Sequence, residues 1–192
     1  SLVGSEMCIR DSYMPGDFVS HVRMMKTDYE DTGLAQLFGM PFVVLRKPVP
    51  FDTTTLNFNW QVWDTKAFSL YSRSTEKIDK KGADMAIAAV CRFLSRMNVL
   101  NYNVYGGYES TVLIEEELVS LRSTASGLYI PHVKSFDSVE RGQVLADIID
   151  PLTGVTVAQT EAPEDGIVFF AKDSPLVMEN ETLFKIVNKL HK

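Results

Sequence analysis

Histidines and cysteines are the residues of this 192-residue sequence that most readily bind metal ions. The three histidines, His21, His132 and His191, are scattered along the chain without any spacing typical of metal ligands. Cys8 and Cys91 are also far apart, and Cys91 lies in an apolar helical pattern, so we expect reduced thiols and a cytoplasmic location. These residues by themselves predict no set of metal ligands.

The segment "VLADIIDPLTGVTVAQTEAPEDGIV", residues 144–168, resembles the centre of a biotinyl/lipoyl-type carrier domain. In such a domain, two interlocked β-units meet at a hairpin that carries the modified lysine. The corresponding segment here, "DPLTGVTVAQTEAP", contains no lysine, and we expect Lys172, in "FFAKDSP", to be a solvated surface residue. The sequence therefore predicts the frame of a carrier domain without its modification site.

Composition and charge indicate which kinds of molecule this protein can bind. Hydrophobic residues make up 45% of the chain and charged residues 23%, which is typical of a soluble globular protein, and the length favours two domains. The net charge is −6 and no basic run exceeds two residues, so nucleic acid is excluded as a partner. No apolar run reaches the roughly 18 to 20 residues of a membrane span, so no membrane partner is expected.

The first twelve residues, "SLVGSEMCIRDS", have neither helical nor strand periodicity and begin without methionine. They resemble the peptide that results when sequencing-adaptor DNA is translated. We therefore interpret residues 1–12 as an adaptor-derived artefact, with a disordered leader as the alternative. If the artefact interpretation holds, the natural protein begins upstream and the chain is a fragment.

Residues 13–102 have the pattern of an α/β domain. The predicted elements are a strand at 17–25, a helix at 28–39 with Asp28 near its N-cap and Gly39 as its stop, strands at 40–46 and 65–72, and a helix of about five turns that begins at Asp79. Strands that alternate with helices indicate a mainly parallel sheet covered by helices.

Residues 103–192 show no helical period and are predicted to form an all-β domain. The pattern V-x-x-[G/N]-x-x-L-x-x-I begins at Val139 and again at Val177, so the domain contains two similar β-units. In each unit, Gly142 or Asn180 supplies a turn residue that tolerates left-handed φ before a strand. We predict a barrel-sandwich hybrid of the biotinyl/lipoyl type.

The run from residue 13 to 187 resembles the succinylglutamate desuccinylase/aspartoacylase family, zinc amidohydrolases with a carboxypeptidase-like fold. The resemblance rests on "LAQLFGMPFVV", on "TKAFSLYSRSTEKIDKKGADMAIAAVCRFLSRMNVL", and on "GLYIPHVKSFDSVERGQVLADIIDPLTG" with "APEDGIVFF". It implies that residues 13–102 are the C-terminal half of the hydrolase domain. Residues 103–192 then match the family's C-terminal β domain, in which the lysine-free hairpin is a structural loop.

The resemblance also implies a zinc ion held by two histidines and a glutamate, with a metal-activated water. The family's ligands come from an H-x-x-E segment and a later strand end, and no H-x-x-E occurs in this chain. His21 lies nearest the expected third ligand but past that strand end, so we expect a structural or surface histidine. We therefore expect the zinc ligands upstream of this chain.

At the position of the family's catalytic glutamate, the resemblance places Tyr71. A tyrosine is a poor base at neutral pH but can donate a hydrogen bond to an oxyanion. Glu76 is the nearest carboxylate that could act as the base, and Arg73 could pair with a substrate carboxylate. Alternatively, Tyr71 only ends a strand and Arg73 and Glu76 lie on a solvated loop.

Residues 48–65, "PVPFDTTTLNFNWQVWDT", are predicted to form a long loop between strands. Asn57 or Asn59 could donate amide hydrogen bonds to a substrate. In the alternative interpretation, Trp60 and Trp63 fill the core between the two domains.

The sequence thus predicts part of a zinc-dependent amidohydrolase that cleaves a small-molecule N-acyl substrate, such as an N-acyl amino acid. The alternative is a non-catalytic β-barrel adaptor attached to a degenerate α/β domain. The sequence does not determine which acyl group is removed or which oligomeric state the protein has, and a homo-oligomer is compatible with it.

Overall fold

A computed structural model describes residues 16–74, 77–101 and 104–188. The leader at 1–12 lies outside these residues, as do Cys8, Glu76 and His191. Two compact units are present: among the described residues, the first comprises 20–72, 79–101 and 104–116, and the second comprises 16–19, 73–74, 77–78 and 117–188. The first unit therefore continues past the expected boundary at 102. No helix of the described residues is long and apolar enough to cross a bilayer.

The predicted strand 17–25 was wrong, because the structure has two strands there, β1 (Gly16–Phe18) and β2 (His21–Met25). β1 pairs antiparallel with residues 170–172 of the second unit, whereas β2 lies in the sheet of the first unit. The alternation of apolar and polar residues runs through both strands, and it does not reveal which sheet each strand joins.

The sheet of the first unit is mainly parallel, which confirms the prediction. Its other strands are β3 (Phe42–Arg46), β4 (Ser69–Tyr71) and β5 (Thr111–Ile114), in the order β4-β2-β3-β5. β2, β3 and β5 are parallel, and only the edge strand β4 runs antiparallel to its neighbour. The helices of this unit are α1 (Thr32–Gln36), α2 (Leu56–Val62) and α3 (Lys80–Arg96), with a 3-10 helix at Pro50–Thr54.

The two faces of this sheet differ in chemistry. On one face, Val22, Met24 and Val43 form a buried core with Ala35 of α1 and Ala89 of α3. Because successive side chains of a strand point to opposite faces, the residues between these apolar positions lie on the other face. Burying the apolar positions under α1 and α3 therefore determines which residues of β2 and β4 are available for chemistry.

The two helix predictions, at 28–39 and from Asp79 onward, had different outcomes. The helix predicted at 28–39 is shorter, and its N-cap is Asp31, whose carboxylate accepts the Leu34 N–H at 2.9 Å, and not Asp28. Gly39 follows the helix with φ of +63°, as a stop residue in the left-handed region should. The start of α3 was correctly predicted, since Asp79 is the N-cap and accepts the Lys81 N–H at 3.1 Å.

The segment 48–65 is not a loop, since it contains the 3-10 helix and α2. A tertiary contact accounts for the error. The buried Gln61 accepts the Met25 N–H and donates to the Met25 carbonyl, each at 3.0 Å, and so pairs α2 with the end of β2. Trp63 is 81% exposed, so its predicted place in a core was wrong, and Trp60 is half-buried.

The second unit has two antiparallel sheets. Besides β1, its strands are β6 (Val119–Arg122), β7 (Gly127–Pro131), β8 (Ser138–Val139), β9 (Val144–Ile149), β10 (Thr156–Glu161), β11 (Gly166–Lys172), β12 (Leu176–Val177) and β13 (Thr182–Asn188). One sheet has the order β1-β11-β13-β6 with β8 beside β11, and the other has the order β10-β9-β7-β12. The barrel-sandwich hybrid stays a prediction.

The internal repeat has matching structure in both copies. Each begins with a two-residue strand, turns at a residue of positive φ, Gly142 (+79°) or Asn180 (+66°), and enters a long strand. The repeated apolar positions are buried together in one core: Val139, Leu145 and Ile148 from the first copy, and Val177, Leu183 and Ile186 from the second. The predicted pair of β-units is therefore confirmed at the level of turn and core.

Lys172 was wrongly predicted to be a solvated surface residue. It is the last residue of β11, its side chain is 6% exposed, and its ammonium group is paired with the carboxylate of Glu181. Glu181 also accepts the Met178 N–H at 3.0 Å. A lysine buried against a carboxylate is a structural residue and a poor acceptor for a carrier group.

The Lys172–Glu181 pair predicts a pH-dependent contribution to stability. The hydrogen bond from Lys172, and then that from the Met178 N–H, lower the pKa of Glu181 below its ordinary value of 4.5. A lowered pKa in the folded state stabilises the fold above the ordinary pKa, and this stabilisation is lost as the pH falls through the folded value. We expect Glu181→Gln to lower the free energy of unfolding at neutral pH, and to have a smaller effect below about pH 4.

Urea unfolding of wild type and variant at both pH values measures this difference. Glu179→Gln, which changes an exposed carboxylate on the same turn, is the matched control and should have little effect at either pH. An equal loss for Glu181→Gln at both pH values would contradict the linkage.

Candidate functional site

Four residues of β2 and β4 form a polar face on the sheet of the first unit: His21, Arg23, Ser69 and Tyr71. The strands pair in antiparallel register, with His21 opposite Tyr71 and Arg23 opposite Ser69. Residues directly opposite each other project from the same face of a sheet. This polar face therefore holds Tyr71, the residue that the resemblance places at the position of the family's catalytic glutamate.

Tyr71 contacts the side chains of His21 and Arg23. Its ring stacks on the buried imidazole of His21, with 4.8 Å between the ring centroids and 7° between the planes. The Arg23 guanidinium lies 5.4 Å from the centroid of the Tyr71 ring, and its Nη1 donates a long hydrogen bond of 3.4 Å to the phenol oxygen. The phenol thus lies against an aromatic ring and a cation, an environment in which it can act as a polarised hydrogen-bond donor.

Arg23 is paired with Glu115, which follows β5 directly, through a hydrogen bond from its Nη2. The side chains of Arg23 and Glu115 are 13% and 23% exposed. Burial lowers the pKa of Arg23, but the Glu115 carboxylate and Tyr71 together outweigh burial, and the net pKa is raised. Arg23 is therefore a permanent cation, and its buried Nε has no hydrogen-bond partner among the described residues.

Asn57 extends the polar face from α2. Its Nδ2 donates to the Ser69 hydroxyl at 2.7 Å, and its buried Oδ1 has no hydrogen-bond partner among the described residues. The Gln61 contacts with Met25 anchor the helix that carries Asn57. The Nδ2 of Asn59 donates instead to the carbonyls of Thr53 and Thr55, both at 2.8 Å, so its amide stabilises its own turn.

The remaining predicted site residues are placed differently. Arg73 belongs to the second unit, where its Nε and Nη2 bind both carboxylate oxygens of Asp17 at 3.2 and 3.0 Å. Asp17 also accepts the Ser135 hydroxyl at 2.7 Å. A substrate carboxylate would have to compete with Asp17 for Arg73. Glu76 lies outside the described residues, so its role as a base stays a prediction.

Of the residues at this polar face, the sequence analysis named Tyr71 and Asn57 as candidates, and it did not name Arg23, Glu115 or Gln61. One signal was present for Arg23, because "HVRMM" places a charged residue inside an apolar strand, where a cation requires a partner. The partner is 92 residues away along the chain, and no local pattern indicates it. Gln61 has no comparable signal in the sequence.

Zinc does not fit the described residues. They contain no group of three histidine, cysteine, aspartate or glutamate side chains that could hold a metal ion. His21 stacks on Tyr71, and His132, in the second unit, is paired with Asp147 at 2.9 Å. The expectation that His21 is a structural residue agrees with its burial, although it begins β2 and is not past a strand end.

Comparison with known proteins identifies the fold. The sequence matches no family model, and no curated protein matches it significantly. The structure is similar to the product-bound ectoine utilization protein EutE (DoeB) of Ruegeria pomeroyi, with 13% identity and a TM-score of 0.73 over 90% of this chain and 54% of that one. It is also similar to a succinylglutamate desuccinylase/aspartoacylase of Rhodobacter sphaeroides, with 14% identity and a TM-score of 0.73 over 93% of this chain and 56% of that one.

A third similar structure is a putative succinylglutamate desuccinylase/aspartoacylase of Shewanella frigidimarina, with 17% identity and a TM-score of 0.71 over 92% of this chain and 52% of that one. The chain therefore has the fold of succinylglutamate desuccinylase/aspartoacylase structures. It spans about half the length of the solved structures it matches.

The buried Arg23–Glu115 pair predicts a stability effect. Glu115→Gln removes the carboxylate charge and leaves a buried guanidinium uncompensated, so we expect the free energy of unfolding to fall by about 2 kcal/mol. Urea unfolding measures the change. Glu109→Gln alters an exposed glutamate of the same unit and is the control. A change as small as that of the control would show that Glu115 does not compensate Arg23.

The absence of a three-ligand group in the described residues predicts weak zinc binding by the 192-residue chain. After a chelator wash, reloading with zinc and dialysis, metal analysis should find far less than one zinc per chain. One tightly bound zinc per chain would contradict this expectation and would identify ligands that include residues outside the described ranges.

Proposed function

We propose that this chain is part of a metal-dependent amidohydrolase that removes an acyl group from an N-acyl amino acid or a similar small amide. The observation that carries the proposal is the fold similarity to desuccinylase/aspartoacylase structures over at least 90% of the chain, which includes both units. Two of these similar structures are named succinylglutamate desuccinylase/aspartoacylase, a name that denotes removal of a succinyl or another acyl group from an amino acid. We propose the same reaction, removal of an acyl group from an amide, for the protein to which this chain belongs.

In this proposal the chain contributes Tyr71 and Asn57 from the polar face, and Glu76 from outside the described residues. Tyr71 donates a hydrogen bond to the oxyanion that forms when the amide carbonyl is attacked. Asn57 orients the substrate through its amide. Glu76 accepts the proton of the attacking water. Zinc remains part of this proposal as the metal of the intact protein, with ligands outside the described residues.

A non-catalytic adaptor is the less favoured function. An adaptor would combine a carrier-type barrel with an unrelated α/β domain, whereas the similar enzymes contain counterparts of both units in one chain. The buried position of Lys172 also removes one candidate for a carrier lysine.

The test uses the protein encoded by the complete reading frame, loaded with zinc, and a panel of N-succinyl and N-acetyl amino acids. We expect catalytic hydrolysis of at least one of these substrates, measured as release of the free amino group. Glu76→Gln should lower kcat about 100-fold, the usual scale of general acid–base catalysis. Tyr71→Phe should lower it about 10-fold, because one hydrogen bond is lost and the ring packing is kept.

Glu109→Gln, an exposed glutamate away from the polar face, is the activity control, and circular dichroism establishes that each variant is folded. Absence of turnover on every amide would refute the proposed hydrolase. Unchanged turnover in Glu76→Gln would show only that the base is another residue.

A further inference from the structure

Arg23 connects two groups that are distant in sequence. Its Nη1 reaches the phenol oxygen of Tyr71, 48 residues away, and its Nη2 reaches the carboxylate of Glu115, 92 residues away. The neighbouring residues Val22 and Met24 lie in the core on the opposite face of the sheet. Arg23 is therefore fixed at its base by the sheet and at its tip by Glu115.

The direction of the hydrogen bond constrains the Tyr71 hydroxyl. A guanidinium has five N–H donors and no acceptor, so Arg23 can only donate to the phenol oxygen. The contact thus uses the acceptor side of that oxygen, and the phenol proton must be donated to some other acceptor. A tyrosine next to a neutral amide side chain, which both donates and accepts, would not be constrained in this way.

The charge of Arg23 also favours donation of a hydrogen bond by the Tyr71 hydroxyl. A cation beside a phenol stabilises negative charge on the phenol oxygen and makes the hydroxyl a stronger donor. Glu115 anchors the guanidinium through Nη2, whereas Tyr71 is contacted by Nη1. The Nε of the same guanidinium is buried and has no hydrogen-bond partner among the described residues.

We propose that Arg23, anchored by Glu115, is a positioning residue that orients the Tyr71 hydroxyl as a hydrogen-bond donor toward the reacting carbonyl. This inference rests on the proposed amidohydrolase function and adds two residues to it. Arg23 touches no substrate in this mechanism. It acts only through Tyr71.

The kinetic test uses the zinc-loaded full-length protein and the best N-acyl amino acid of the panel. Arg23→Gln should lower kcat about 10-fold and change KM by less than about 2-fold, because the donor is needed mainly in the transition state. Arg23→Lys, which keeps the charge and a donor, should recover part of the loss. In a Tyr71→Phe background, Arg23→Gln should cause little further loss, since its effect passes through the phenol.

Arg96→Gln is the matched control, because this exposed arginine of α3 bonds only the Leu37 carbonyl in the described structure. It should retain wild-type kcat. Thermal unfolding of each variant separates loss of activity from loss of fold. Additive losses in the Arg23→Gln and Tyr71→Phe double variant would overturn the positioning role.

A spectroscopic test on the 192-residue chain does not depend on activity. The ultraviolet absorbance of tyrosinate is followed as the pH rises, and the Tyr71→Phe curve is subtracted to isolate Tyr71 from the other six tyrosines. The same subtraction is made in the Arg23→Gln background. Tyr71 should ionise at a lower pH when Arg23 is present.

The titratable groups that the described contacts place around this phenol are Arg23 and His21, with Glu115 behind Arg23. His21 and Glu115 are present in both backgrounds and cancel from the comparison. The same ionisation pH with and without Arg23 overturns the proposal. Absence of turnover on every amide overturns both the proposed function and the catalytic meaning of Arg23, whereas turnover with an unchanged Tyr71 ionisation overturns the positioning role alone.

Discussion

The parallel pairing of β3 with its two neighbours, β2 and β5, is the constraint on which the rest of the first unit depends. Val22 and Met24 must be buried against α1 and α3, and the two-residue period of a strand then directs His21 and Arg23 to the opposite face. A slip of one residue would exchange the two sets and bury a guanidinium in an apolar core. The position of the polar face therefore follows from the hydrophobic effect, before any catalytic requirement is considered.

Long-range polar contacts complete this face. Glu115 makes the partly buried charge of Arg23 tolerable, and Gln61 pairs its amide with both backbone groups of Met25 and so brings α2, with Asn57, alongside β4. Each contact satisfies groups that would be costly to bury alone. The consequence is a tyrosine held between an imidazole and a guanidinium, at the position where the family resemblance expects a glutamate. Such a site favours donation of a hydrogen bond over removal of a proton.

The second unit has a repeat of two similar β-units without a lysine in the segment that connects them. Its two β-units contribute equivalent apolar positions to one core, and each turns at a residue with left-handed φ. The connection between them contains no lysine, and Lys172 is buried against Glu181. The chain contributes β1 and Arg73 to this unit from segments on either side of the first unit's strands β2 to β4. The similarity to desuccinylase/aspartoacylase structures extends over both units.

Local patterns in the sequence determined the mainly parallel sheet, the start of α3 at Asp79, the stop at Gly39 and the repeat with its turn residues, because periodicity, capping and φ preferences act over a few neighbouring residues. Only the tertiary structure decided that 17–25 is divided between two sheets, that Lys172 is buried, and that 48–65 contains a helix. The same holds for the candidate site. Tyr71 was named as a candidate because it lies in a segment that resembles the family. Arg23 contacts Tyr71 from 48 residues away in the sequence, and Glu115 contacts Arg23 from 92 residues away. Contacts between such distant residues produce no periodic pattern in a single sequence.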